Sequence, residues 1–116
     1  MEIKIIKKPI NKQELIGVAK NQFGDLIKAV VDIEQGIMAI SGELHADEEV
    51  VLMEKEGSKR EYTWGINLYP ETSEGDWIEF DSMINLKPSY GNRSRNVDNP
   101  DIQKQIKDIV EKLVIK

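Results

Sequence analysis

The chain has 116 residues, with 16 Lys and Arg against 21 Asp and Glu, a net charge of -5, no Cys and a single His. Without Cys there is no thiolate nucleophile, no Cys-ligated zinc and no iron–sulfur cluster, and one His rules out sites that need two or three within one subunit. The length fits one α+β-sized domain over residues 1–116, burying about two-thirds of its extended surface as roughly 19,000 Å² falls to about 6,500 Å².

Ile3 and Ile5 alternate with Glu2 and Lys4, which predicts a short strand ended by Pro9. Lys4, Lys7 and Lys8 interrupt the apolar run, so it does not read as a signal peptide. No stretch approaches the ~20 apolar residues of a membrane span. A soluble cytoplasmic protein is the expectation. Asn11 is placed to cap a helix, with Glu14 three residues on. Leu15, Val18, Ala19 and Phe23 follow at helical spacing, and Gly24 ends the segment.

Residues 26–34 are rich in β-branched side chains, Gln35-Gly36 reads as a turn, and Ile37 to Ser41 follows as a second strand. Ile27, Ala29, Val31 and Ile33 share one face of the first strand; Lys28, Val30, Asp32 and Glu34 share the other. Residues 47–56 fit a helix capped by Asp47, with acids in the first turn and Gly57 at the end. A strand over Val50–Met53 is the alternative.

A second hairpin is predicted from period-two alternation. Tyr62, Trp64, Ile66 and Leu68 alternate with Thr63, Gly65, Asn67 and Tyr69. After a turn over 70–75, Ile78, Phe80, Ser82, Ile84 and Leu86 alternate with Trp77, Glu79, Asp81, Met83 and Asn85. Residues 88–97 read as a loop. Asn99 and Pro100 start a final helix whose apolar stripe is Ile102, Ile106, Ile109, Val110, Leu113 and Val114. The order β-α-ββ-α-ββ-α predicts an α+β fold: a mainly antiparallel sheet of about five strands, with three helices on one face.

Charge is unevenly placed: +1 over residues 1–42, -4 over 43–61, -5 over 62–81, +3 over 82–97 and zero over 98–116. The acidic middle argues against a broad nucleic-acid surface. The +3 segment suits one phosphate or carboxylate. There, Arg93 and Arg95 sit beside Gly91, Asn92 and Ser94, two planar forks in a polar loop. The loop lacks Walker spacing. The structural alternative is that both Arg pair with the acidic hairpin.

Two carboxylate groupings also bear on chemistry. Glu43, His45 and Asp47 fall at i, i+2 and i+4, and would point to one side if extended. One His and two carboxylates form a reasonable divalent-metal set, and His45 could serve as a general base. The structural alternative puts Glu43 at a strand end and Asp47 at a helix cap. Glu79 and Asp81 share a strand face, with Asn67 and Tyr69 on the neighbouring strand; such pairs hold Mg²⁺ or divide acid and base roles. The alternative is a solvated sheet face. No serine sits in a nucleophile elbow.

The blocks Gly42-Glu43-Leu44-His45-Ala46-Asp47, Trp64 to Pro70, Trp77 to Asn85 and Gly91-Asn92-Arg93-Ser94-Arg95 resemble a small prokaryotic family of unknown function, along nearly the whole chain. The resemblance implies a free-standing single-domain protein of bacteria or archaea. It implies no activity and assigns no residue a role.

The reading that results is a binding or interaction domain. Asn67, Asp81, Asn92, Arg93 and Arg95 would hold a small anionic ligand or a protein partner, with no membrane involved. A metal-assisted hydrolase using Glu43, His45 and Asp47, or Glu79 and Asp81, is the rival. It would need a divalent metal, since no other cofactor is evident. A structural homodimer through a strand edge or the aromatic face is the third reading.

Overall fold

The computed structural model describes residues 2–72 and 76–116. The element order is β1 (Lys4–Ile6), β2 (Ile10–Asn11), α1 (Lys12–Gln22), β3 (Ile27–Asp32), β4 (Ile37–Ile40), α2 (His45–Glu56), β5 (Thr63–Leu68), β6 (Ile78–Glu79), α3 (Pro100–Leu113) and β7 (Val114–Ile115). The predicted turn over 70–75 falls partly on residues 73–75, outside the described residues.

Five strands form an antiparallel sheet in the order β1-β4-β3-β5-β6. The fold is α+β, as the alternation of strands and helices predicts. The register explains the core. Ala29 faces Ile40 and Ile66, Val31 faces Met38 and Trp64, and Ile27 faces Leu68. This all-apolar face packs on Leu15 and Ala19 of α1 and on Ile106, Val110 and Leu113 of α3.

The expectation of three helices on one face is corrected here. On the opposite face, Val30 and Ala39 pack with Leu52 of α2 and with Ile84. Val30 is the reason. It is the one apolar residue among the polar positions of β3, and with Ala39 it gives α2 a second surface to bury. About 25 cal/mol per Å² of apolar area drives both layers together.

Local chemistry sets the helix ends. Asn11 Oδ1 accepts from Gln13 N–H at 2.7 Å, and Asn99 Oδ1 accepts from Asp101 N–H at 2.8 Å. Gly57 ends α2 at φ 66°, where glycine avoids the Cβ clash. Two expectations shift. α2 begins at His45, so Asp47 lies in its first turn instead of capping it. α3 stops at Leu113, because β-branched Val114 and Ile115 pair in parallel with Ile10 and Asn11.

The larger correction lies in the second hairpin. β6 pairs for two residues only, Glu79 with Asn67 and Ile78 with Leu68. The chain then leaves the sheet edge and crosses the α2 side of β5 as a short 3-10 turn, Met83–Asn85. Alternation alone could not reveal this, since Ile84 and Asn85 are buried by a crossing rather than by a ladder.

Two residues permit the crossing. A Cβ at Gly65 would lie 2.5 Å from Ser82 Oγ and 2.6 Å from its Cβ. Asn85 then replaces a neighbouring strand at that point: its Oδ1 accepts from Gly65 N–H at 2.8 Å and its Nδ2 donates to Gly65 C=O at 2.9 Å. Among the described residues no helix is long and apolar enough to cross a membrane. Gly65→Ala and Asn85→Ala are each expected to lower stability by about 1–3 kcal/mol, the first by overpacking and the second by stranding buried polar groups. Urea unfolding of the two variants measures this directly.

Candidate functional site

The register of the α2-facing side places Lys28 opposite Asn67, and Asn67 opposite Glu79. This polar row lies next to the apolar row of Val30 and Gly65. α2 begins above it, and the 81–84 crossing forms its second wall. Together they enclose a cleft of about 230 Å³ with Lys28, His45, Asn67, Asp81 and Arg95 in its lining, and Leu44 and Met83 at its apolar rim.

The turn into α2 is tightly built. Ser41 adopts φ 76°, a conformation that costs a non-glycine residue about 1 kcal/mol or more. A Cβ at Gly42 would lie 2.5 Å from Glu48 Cγ, so only glycine lets the Glu48 carboxyl tuck beneath the turn. There its Oε2 accepts from Gly42 N–H at 3.0 Å, while Oε1 has no partner among the described residues. Burial pushes the Glu48 pKa well up, against the weaker opposing effects of the Gly42 hydrogen bond and Lys28. The carboxyl is therefore held toward its neutral form.

The N-cap of α2 is Leu44, which offers no side-chain acceptor to the first turn. Helix N-termini leave up to four N–H groups unsatisfied and carry partial positive charge. Here that end opens on the cleft through His45 and Ala46.

His45 Nε2 lies 2.8 Å from the Ile66 carbonyl. A carbonyl only accepts, so Nε2 carries the proton and Nδ1 is the ring's acceptor in the neutral form. Burial lowers the His45 pKa, and Lys28 adds to this; the Ile66 hydrogen bond, Asp81 and Asn67 oppose it. The ring is held toward its neutral form. The charged side chains in the cleft lining are Lys28, Arg95 and Asp81.

Arg95 reaches the cleft because its backbone is fastened. Its carbonyl accepts from Ser82 N–H at 3.1 Å and from Asn85 Nδ2 at 2.9 Å. Its Nε donates to Asp81 Oδ1 at 2.7 Å, in a pair that remains half exposed. The guanidinium makes no other hydrogen bond among the described residues. Asn67 Nδ2 donates to Glu79 Oε1 at 2.8 Å, and Glu79 is outside the cleft lining.

The structure thus brings together four of the residues named from sequence: Asn67, Asp81, Arg95 and His45. Asn92 has a different task. It is buried, its amide donates to the carbonyls of Asn85, Ser94 and Asn96, and its Oδ1 accepts from Asp98 N–H. It staples the loop and has nothing left for a ligand. Arg93 is exposed and outside the cleft lining, held through its backbone N–H to Asp98. Glu43 and Asp47 are exposed, and the helical start at His45 removes the extended geometry that would have aligned the three. Among the described residues no group of three or more His, Asp or Glu is placed to hold a metal ion.

Lys28 was missed. The signal was present, since it alternates with the apolar face of its strand, but only the strand order places it opposite Asn67.

Linkage gives Glu48 a measurable signature. A carboxyl whose folded pKa is raised stabilises the fold below about pH 4.3, its unfolded value, and loses that contribution as pH climbs toward the folded pKa. Glu48→Gln keeps the acceptor for Gly42 and cannot ionise. Its melting temperature is expected to match wild type near pH 4, to exceed it at pH 7, and to show a flatter pH profile between them by circular dichroism.

The profile of the family described as Protein of unknown function (DUF5674) matches residues 4–113, and the chain belongs to that family. No curated protein matches the chain, and no solved structure does.

Proposed function

We propose that this member of the DUF5674 family is a small binding domain whose cleft holds an anionic ligand, a carboxylate or a phosphate. One observation carries the reading: Lys28, Arg95 and the uncapped first turn of α2 open on a single cleft. Each supplies N–H donors or positive charge. They come from three separate stretches of the chain, which only folding brings together.

The electrostatics support the same reading. Burial holds Glu48 and His45 toward their neutral forms, so neither cancels the cations. The Arg95–Asp81 pair fixes one edge of the guanidinium and leaves the other for a second partner, the fork geometry that suits carboxylate or phosphate. The cleft is smaller than the ~300 Å³ at which drug-sized pockets begin. A metabolite-sized ligand suits it.

Titration of ¹⁵N-labelled protein with inorganic phosphate and with acetate tests this. The amides of His45, Ala46 and Arg95 are expected to shift. Arg95→Ala and Lys28→Ala should each weaken binding by roughly tenfold, the value of one charge-assisted hydrogen bond. Added salt should weaken it further. Shifts confined to residues outside the cleft, or affinities unchanged in both variants, would sink the reading.

A further inference from the structure

Resting on that anion site, we propose that the ligand is a free α-amino acid with an apolar side chain. Lys28, Arg95 and the α2 terminus explain a carboxylate. They do not explain Asn67 and Asp81, which are acceptors. Asn67 is 9% exposed, its Nδ2 is taken by Glu79, and its Oδ1 has no donor among the described residues. A buried acceptor without a donor costs about 1–3 kcal/mol, so it invites a ligand that donates. Asp81 uses Oδ1 for Arg95, and its second oxygen makes no hydrogen bond among the described residues.

A phosphate or a simple carboxylate brings no donor at neutral pH beyond what a phosphate monoanion carries, and Asp81 repels it. An ammonium group has three donors and a positive charge. In an α-amino acid the carboxylate and the ammonium share one carbon. The cleft presents the matching arrangement, with Arg95 and Asp81 in contact at 2.7 Å.

The rim supplies the third element. Leu44 is 55% exposed and Met83 62% exposed, and both border the cleft. Buried Ile84 continues that apolar wall inward. A branched aliphatic side chain would cover this surface, at about 25 cal/mol per Å² removed from water. A volume near 230 Å³ suits an amino acid of leucine's size.

The test compares L-leucine with 4-methylpentanoate, which lacks the ammonium, and with 3-methylbutylamine, which lacks the carboxylate. Calorimetry on the wild-type protein is expected to show leucine binding at least tenfold tighter than either analogue. In Asp81→Asn, the ratio of leucine to 4-methylpentanoate affinity should fall toward one. Equal wild-type affinity for leucine and 4-methylpentanoate overturns the amino-acid assignment and leaves the anion site standing. Equal affinity for leucine and the amine overturns both. Absence of leucine binding while phosphate or acetate binds overturns the amino-acid assignment alone. The wild-type comparison stands whether or not the variant folds.

Discussion

The amide of Asn85 is the constraint on which the rest of the site depends. It gives one hydrogen bond and takes one from the backbone of Gly65, and gives another to the carbonyl of Arg95. The first two end the β5 edge without a further strand, so the chain after β6 is free to cross the face. The third ties residue 95 to that crossing. Remove the amide and Gly65 keeps an unpaired N–H and C=O in a buried place, which the interior tolerates poorly. Gly65 is the counterpart of this arrangement, because only a residue without Cβ lets Ser82 and Ile84 lie on the strand. A sheet edge that would otherwise offer a template for pairing is thereby closed by a side chain.

That crossing and α2 make two walls, and the space between them has an unusual charge balance. The chain carries -5 overall, and residues 62–81, which lead into the crossing, are its most acidic part. Yet the cleft is not acidic. Glu79 turns away to Asn67 and Tyr69, Glu48 is buried toward its neutral form, and Asp81 is matched by Arg95. Lys28 is left over. A helix start with Leu44 as N-cap forgoes the ~1 kcal/mol that Ser, Thr, Asp or Asn would contribute there. A capping side chain at that position would also occupy the N–H groups that open on the cleft.

Much of this was legible from residue order, and the failures have identifiable causes. Asn99-Pro100 and Asn11 marked their helices because a cap is a local interaction. The first hairpin was legible because Ile27, Ala29 and Val31 alternate over a long enough run, with Asp32 and Gly36 closing the turn. Residues 80–86 alternate as well, yet only two residues of that strand pair. Period two reports burial on alternating sides and says nothing about what does the burying. Asn92 shows the same limit for the site: an Asn between Gly and Arg looks available for a ligand, and its three donated bonds to carbonyls became visible only when the loop had closed on itself. Lys28 needed the strand order, which is a long-range fact.

The Arg95–Asp81 pair can be judged by what it contributes. Both side chains are about half exposed, at 55% and 46%. Pairs of that kind add roughly 0–1 kcal/mol to stability, and salt screens them. The fold does not need it. The Arg60–Glu49–Thr63 group is the structural contrast: Glu49 is enclosed, the partly exposed Arg60 donates to it twice and the Thr63 hydroxyl once. That group holds α2 to the start of β5, so removing Arg60 would leave the enclosed Glu49 carboxylate without its charge partner. Arg95 and Asp81, by comparison, hold each other in position at the mouth of a cleft. Orientation is what a half-exposed pair at that distance can supply: it removes rotamer freedom from the guanidinium before any ligand arrives, and so reduces the entropy that binding must overcome.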